Sequence, residues 1–157
     1  MTDSKAFRQC LGKFATGVTV VTCTDGDGHP RGITANSFSS VSLEPPLVLW
    51  SIAKESRSLD TYLNADHFAI NVLSSQQQVA SLQFTKSDDT PFRDIEYTLS
   101  DGGAPLLADT LATFECRTHQ VHDCGDHFII IGAVSGFRSD ERNPLLFYNG
   151  AYRSIED

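Results

Sequence analysis

The densest group of small polar side chains lies between Gly32 and Ser42, in a chain whose other β-rich segments are strongly apolar. These residues offer hydrogen-bond donors and acceptors with little bulk, which suits the polar edge and hydroxylated tail of a flavin. An edge strand whose serine-rich face meets water fits the same pattern equally well, so the residues alone leave both interpretations open. The candidate ligand-binding side chains are Thr34, Asn36, Ser37, Ser39, Ser40 and Ser42.

A second candidate site is the segment from Ser51 to Ser58, where a predicted strand passes into a predicted helix. The free backbone amides and the positive end of the helix dipole would lie there beside the side chains of Lys54 and Arg57, which indicates a phosphate-binding site. Ordinary helix capping by Ser56 or Ser58 explains the serines as well, and taken alone it is the better explanation.

A third cluster contains the richest concentration of metal-ligand types in the chain: Cys116, His119, His122, Cys124 and His127. Strand alternation predicts Cys116 and His122 on one face and His119 on the other, and no pair has a CxxC or HxxxH spacing. We therefore expect no metal site. His127 differs from its neighbours because it precedes the apolar run Phe128 to Ile131, at the mouth of a buried strand, where an imidazole could contact a ligand or could simply lie at the surface.

Several common catalytic motifs are missing from the sequence. It has no GxSxG nucleophile elbow, no GxGxxG dinucleotide loop and no Walker loop. This argues against a hydrolase with a serine triad and against a kinase.

The elements that must position these residues are mostly strands. Apolar spacing predicts one helix over 4–14, ended by Gly17, and a second over 57–65. A capping box at Ser75 predicts a third helix that runs through residue 82. Strands are predicted at 18–24, 31–42 in part, 47–52, 68–73, 111–121, 127–137, 145–148 and 152–155. Seven or more strands with short turns and few short helices favour an antiparallel barrel, which can bind one ligand at its rim.

Composition narrows the class of protein. The 157 residues are 40% hydrophobic, which predicts a single folded domain over residues 1–157. The formal charge of −8 disfavours nucleic-acid binding, and no apolar run is long enough for a membrane span. The N-terminus is polar, without an apolar signal region, and the four cysteines are scattered, so we expect a cytoplasmic protein.

Several segments together resemble the flavin reductase family, whose fold is the FMN-binding split barrel. They are Lys13 to Thr22, Gly32 to Phe38, Pro46 to Ile52, Phe68 to Leu73, the Gly-Asp-His motif ending at His127, and Pro144 to Tyr152. The resemblance covers essentially the whole chain. It is strongest to the small reductase components of two-component aromatic monooxygenases, which are homodimers that pass reduced flavin to a separate enzyme.

The resemblance implies a hydride transfer from NADH, or from NADPH, to FMN or FAD. The cofactors carry the difficult step and the protein positions them. It implies that His127 contacts the nicotinamide, which makes His127 the candidate catalytic residue. The region from Lys86 to Ile95, with Asp88-Asp89, departs from the family pattern. The implied cofactor-binding residues are Thr34, Ala35, Asn36, Ser37, Ser40, Ser42, Ser51, Ile52, Ser56, Ser58, Phe84, Thr85, His127 and Tyr152, of which His127 contacts the nicotinamide.

Two other functions stay open at this point. One is a flavoenzyme like pyridoxamine phosphate oxidase on a related barrel, which would need a basic pocket that this acidic sequence does not clearly show. The other is a non-catalytic flavin- or haem-binding carrier, in which a histidine could ligate the haem iron. A weak preference for NADH over NADPH follows from the negative charge and from the lack of an arginine cluster in the sequence.

Overall fold

The computed structural model describes residues 3–86 and 90–155, so the predicted departure at Asp88-Asp89 lies outside the described residues. Within these ranges the chain is mainly β, as predicted. It has three short helices, α1 (Ser4–Leu11), α2 (Leu59–Asn64) and α3 (Gln78–Gln83). The strands are β1 (Thr16–Gly17), β2 (Thr19–Thr24), β3 (Pro30–Ala35), β4 (Ser39–Leu43), β5 (Pro46–Ala53), β6 (His67–Val72), β7 (Tyr97–Leu99), β8 (Pro105–Leu107), β9 (Ala112–Cys124), β10 (His127–Ser139), β11 (Leu145–Tyr148) and β12 (Ala151–Ser154).

Seven strands form the main antiparallel sheet, in the order β3-β2-β6-β9-β10-β5-β4. The predicted hairpin between β2 and β3 is confirmed, and Gly28 turns it with a φ of 84°. The β9–β10 hairpin is tighter than expected, because Cys124 already pairs with His127 and only Gly125 and Asp126 remain in the turn.

Two small sheets complete the fold, with orders β1-β11-β12 and β7-β8. The β11–β12 hairpin was predicted, and its turn residues Asn149 and Gly150 both have positive φ, 52° and 76°. The sequence analysis missed β1, β7 and β8, which have only two or three residues each and therefore too few positions to show a periodic pattern.

The helix ends differ from the predicted ones. Asp3 caps α1 by accepting hydrogen bonds from the backbone amides of Lys5 and Ala6, and the helix stops at Leu11, well before Gly17. The predicted capping box at Ser75 is wrong, because the Gln77 side chain instead accepts a hydrogen bond from the Ser74 amide at 3.0 Å. No helix in the described part of the chain has the length and apolar character that a membrane span requires.

One apolar cluster draws side chains from five strands of the main sheet, β2, β6, β9, β10 and β5. Trp50 lies at its centre with 1% exposure and contacts the rings of Tyr62 and Phe68. The Tyr62 hydroxyl donates to the Val21 carbonyl at 2.6 Å, which fixes α2 against β2. A second cluster around Leu73, Phe84 and Leu107 packs the small sheets and α3 against the main sheet.

Candidate functional site

The first cavity, of about 190 Å3, lies between the end of β3, the residues after α3, and β12. Five residues that the sequence analysis assigned to flavin binding meet there, although they come from three distant parts of the chain. The lining residues are Val18, Thr34, Ala35, Asn36, Thr85, Phe147 and Tyr152.

Hydrogen bonds hold the walls of the first cavity together. The Thr34 hydroxyl donates to the Ser81 carbonyl at 2.6 Å, and the Thr34 amide donates to the Phe84 carbonyl at 3.4 Å. The Ser81 and Tyr152 hydroxyls share a further hydrogen bond at 2.6 Å. Sequence reasoning missed Ser81, because a serine inside a short helix gives no signal of the two elements that it joins.

The second cavity, of about 590 Å3, adjoins the first and shares Thr85 with it. The predicted residues Ser56, Ser58 and Phe84 line it. Ser58 precedes α2 but makes no side-chain capping bond, so capping does not account for this serine. The residues expected at a phosphate therefore meet in one cleft with those expected at a flavin ring.

Three cationic side chains line the second cavity, from Arg31, Arg57 and Lys86, and Glu55 also lines it. The Arg31 Nε atom is ion-paired with the Asp25 carboxylate at 2.9 Å, so part of its charge is already balanced within the protein. Clustered cations of this kind bind phosphate oxygens. The sequence analysis had found no clear basic pocket, and the structure corrects this point. Arg31 and Lys86 are 55 positions apart in sequence, so only folding brings them together.

Gly32 allows close packing in the wall of the second cavity, because it has no side chain. A Cβ atom on Gly32 would lie 2.7 Å from the Phe84 ring and 3.3 Å from the Val20 side chain. Because Gly32 has no side chain, the buried Phe84 ring packs directly against β3. Phe84 thus lines the cavity as a fixed apolar wall.

Other predicted residues lie outside both cavities. The Ser51 amide donates to the Ser37 hydroxyl at 2.9 Å, and that hydroxyl also contacts the Ser51 carbonyl at 3.2 Å, so this pair fixes the β3–β4 connection to β5. Ser40 and Ser42 lie on β4, on either side of a bulge, and line neither cavity. Strand alternation points the Ile52 side chain into the core with 1% exposure, so it lines neither cavity.

His127 begins β10 and pairs with Ala53 at the end of β5. Its side chain is 45% exposed, and its Nδ1 atom lies 2.7 Å from a carboxylate oxygen of Asp126. That hydrogen bond lowers the pKa of Asp126 below its usual value. The Lys54 amide donates to the Asp126 carbonyl at 2.9 Å, so the His127 turn is joined to the segment that leads to Ser56, although His127 lines neither cavity.

The cysteine and histidine cluster is spread over β9. In the pairing of β9 with β10, Gln120 lies opposite Ile131 and Thr118 lies opposite Gly132, so His119 forms a bulge and the alternation of side chains shifts there. The predicted shared face of Cys116 and His122 is therefore wrong: Cys116 is buried and His122 is exposed. Burial raises the pKa of the Cys116 thiol to about 12. In the described ranges, the one group of three ligand-type side chains with atoms within 4.8 Å of one another is elsewhere, at Asp25, Asp27 and His29.

Comparison with known proteins gives one consistent result. The family described as "Flavin reductase like domain" matches residues 11–156. The chain is 49% identical over 150 residues to "FMN reductase (NADH) SmoA" of Agrobacterium fabrum, an alignment that covers 96% of this chain and 85% of the relative.

A second relative is named "Flavin-dependent trigonelline monooxygenase, reductase component" and comes from Acinetobacter baylyi. It is 45% identical over 94% of this chain, which spans only 48% of the relative's own length. Among solved structures, the NADH:FAD oxidoreductase SgcE6 of Streptomyces globisporus, in complex with NAD and FAD fragments, superposes with a TM-score of 0.93. It is 37% identical, and the match covers 98% of this chain and 93% of that one.

Proposed function

Because the chain belongs to the family of flavin reductase-like domains, we propose that it transfers a hydride from NADH to FMN or FAD. The single observation that carries this proposal is the meeting of Thr34, Ala35, Asn36, Thr85 and Tyr152 around one cavity beside a cationic cleft. Flavin and nicotinamide supply the redox chemistry when both are bound, and the protein supplies proximity and orientation.

In this proposal the first cavity receives the flavin ring. Val18 and Phe147 provide apolar walls, and Asn36 provides an amide that can both donate and accept hydrogen bonds. The flavin phosphate lies in the second cavity, where Ser56 and Ser58 offer hydroxyl groups and Arg31, Arg57 and Lys86 offer positive charge. The residue types at each place therefore fit the group assigned to it.

The role assigned to His127 is contact with the nicotinamide. This role is supported by the hydrogen bond from the Lys54 amide to the Asp126 carbonyl, which connects the turn before His127 to the segment that leads to Ser56. Asp126 holds the imidazole by its Nδ1 atom, which leaves Nε2 to face a ligand. Ser37, Ser51, Ser40 and Ser42 act in this proposal through the backbone that they hold in place.

We also propose that residues 1–157 form one domain with a split-barrel architecture. Its support is the first apolar cluster, which gathers side chains from β2 and from β5 although three strands separate them in the sheet. A curved sheet would bring the side chains of these separated strands together in one core. The Ser37–Ser51 hydrogen bonds connect the β3–β4 loop to β5 and hold the two sheet ends near each other.

The proposed assembly is a homodimer that supplies reduced flavin to a separate monooxygenase. The relative named as the reductase component of a monooxygenase supports this role. Exposed apolar side chains support the dimer: Phe14 is 79% exposed, Leu43 94% and Phe137 77%. All four cysteines are free, which suits a cytoplasmic protein.

The direct test is oxidation of NADH by the purified protein, followed at the nicotinamide absorbance, with no flavin, with FMN and with FAD. A reductase will show a saturable rate that depends on added flavin. If flavin binds and no rate appears, the reductase function is contradicted and a flavin carrier takes its place; a haem Soret band in the purified protein would indicate a haem carrier.

A further inference from the structure

A buried serine is joined by its hydroxyl to the wall of the first cavity. Ser81 lies inside α3 with 0% exposure, and its hydroxyl is 2.6 Å from the hydroxyl of Tyr152, which lines that cavity. Within residues 3–86 and 90–155, the Ser81 hydroxyl has no second hydrogen bond. The candidate flavin site therefore has a buried polar neighbour that has no assigned role.

The Ser81 hydroxyl does not make the hydrogen bond that is common for a serine inside a helix. Such a hydroxyl often donates to the carbonyl four residues earlier in its own helix. Here that carbonyl, of Gln77, accepts the Ser81 backbone amide at 2.9 Å, and the hydroxyl bonds to Tyr152 instead. The side chain of Ser81 thus connects α3 to β12.

The burial of the two residues decides which hydroxyl is the donor. A hydroxyl has one proton, and a buried proton without an acceptor loses its hydration and gains nothing in return. If Tyr152 donated, the Ser81 proton would be buried without an acceptor among the described residues. If Ser81 donates, its proton is paired, and the Tyr152 proton is left at the cavity, where Tyr152 is partly exposed. The second arrangement is therefore favoured.

This arrangement gives Tyr152 a property that the other hydroxyls lack. Among the described residues that line the first cavity, it is the one side-chain hydroxyl with a proton available for a ligand. Thr34 and Thr85 carry the other two hydroxyls, and both donate to backbone carbonyls at 2.6 Å. A hydroxyl that accepts a hydrogen bond is also a stronger donor, because the bonds in a chain polarise one another.

We propose that Ser81 is a positioning residue, which donates to the Tyr152 hydroxyl and so directs the Tyr152 proton to a carbonyl oxygen of the flavin ring. The inference rests on the proposed function, in which the first cavity receives that ring. Phe147 keeps the phenol in place, because its ring meets the Tyr152 ring edge-on with centroids 5.6 Å apart. The carboxamide oxygen of the nicotinamide is an acceptor of the same kind, and the experiment separates the two.

The first measurement is the infrared stretching frequency of the ring carbonyls in FMN bound to the protein. A donated hydrogen bond lowers this frequency, so Tyr152→Phe is expected to raise it. Ser81→Ala is expected to raise it by a smaller amount, because Tyr152 keeps its proton and loses the bond that orients it. A merely structural role of Ser81 would leave the carbonyl band in place.

The second measurement is a double-mutant cycle on the dissociation constant for FMN, obtained from quenching of flavin fluorescence. Tyr152→Phe is expected to weaken FMN binding about fivefold and Ser81→Ala about threefold, which is the range of one neutral hydrogen bond. The double variant is expected to bind FMN as Tyr152→Phe does, because Ser81 acts only through Tyr152. Cooperative unfolding in urea shows that each variant is folded.

Ser74→Ala is the matched control for Ser81. Ser74 is also buried, with 2% exposure, its hydroxyl donates to the Asp109 carbonyl at 3.0 Å, and it lines neither cavity. Its loss should reduce stability in urea and leave the FMN affinity and the carbonyl band unchanged. Tyr148→Phe is the control for Tyr152, because Tyr148 is an exposed tyrosine on β11 that lines neither cavity, and it should change neither measurement.

Three results would overturn the proposal: an unchanged carbonyl band in either variant, a double variant in which the two losses of affinity multiply, or a raised KM for NADH in Tyr152→Phe with FMN binding and its band unchanged. The last result would assign the Tyr152 proton to the nicotinamide carboxamide. Failure of the reductase function looks different, since the carbonyl band would still respond to Tyr152→Phe while NADH is not oxidised.

Discussion

Two of the three side-chain hydroxyl groups that line the first cavity already donate their protons within the protein. Thr34 donates to the Ser81 carbonyl and Thr85 donates to the Leu82 carbonyl, both at 2.6 Å. A hydroxyl has one proton, so each of these can only accept a hydrogen bond from a ligand. In the proposed function, donors to the flavin carbonyls therefore come from the Asn36 amide, from backbone N–H groups, or from the Tyr152 hydroxyl when Ser81 is the donor of the bond between them.

At the same scale, His127→Ala tests the role assigned to the Gly-Asp-His turn. The variant is expected to lower kcat/KM for NADH about tenfold and to leave flavin binding unchanged, because the proposed function assigns the imidazole to the nicotinamide and His127 lines neither of the two cavities assigned to flavin. Steady-state NADH oxidation at saturating flavin and a flavin titration measure the two effects separately.

His122→Ala is the matched control for this prediction. His122 is an exposed histidine on β9 whose side chain forms a hydrogen bond with the Gln120 side chain at 2.9 Å, and it lines neither cavity, so its loss should leave both measurements unchanged. Equal NADH kinetics in His127→Ala and the wild-type protein would remove His127 from the reaction.

At the scale of elements, one buried side chain joins three strands. The Asn71 amide nitrogen on β6 donates to the Val20 carbonyl and to the Thr22 hydroxyl of β2, each at 3.0 Å. Its carbonyl oxygen accepts from the Leu107 amide of β8 at 2.9 Å. Asn71 is fully buried, so every one of its polar atoms depends on these partners.

Asn71→Leu is expected to lower the free energy of unfolding by about 2–4 kcal/mol, because it leaves the Leu107 amide and the Val20 carbonyl buried with fewer partners. Urea denaturation measures the change. Asn64→Leu is the control: Asn64 is exposed at the end of α2, and the same substitution there should cost less than about 0.5 kcal/mol. Similar losses in the two variants would contradict the structural role given to Asn71.

At the scale of the whole molecule, the exposed apolar surface predicts self-association. Helix α1 buries none of its residues, and Phe7 and Leu11 on it are 56% and 59% exposed. Sedimentation equilibrium at micromolar concentration is expected to give twice the chain mass of 17.2 kDa. Leu11→Asp should shift the protein toward the monomer, because it places a charge on this apolar face.

The control for self-association is Lys5→Asp, which changes an exposed polar position on the same helix. It should leave the mass unchanged. A wild-type protein that sediments as a monomer would contradict the proposed homodimer, and a Leu11→Asp variant that remains dimeric would move the interface away from α1.

Much of this molecule could be derived from its sequence, because local patterns carry that information. The alternating and β-branched segments predicted the long strands and the hairpins at Gly28 and Gly150, and the resemblance of the segment around Thr34 and Asn36 predicted the family that the comparison confirmed. Turn geometry and the alternation of side chains along a strand depend on neighbouring residues, so the sequence shows them directly.

Only the tertiary structure decided which predicted residues share a cavity. Thr34 and Tyr152 meet because Ser81 joins β3 to β12 through α3, and Arg31 meets Lys86 because the chain returns past β3 after α3. It also separated Ile52 from the site, since the neighbouring strands decide which face of β5 becomes the core. Contacts between residues far apart in sequence depend on the packing of whole elements, and no local pattern records that packing.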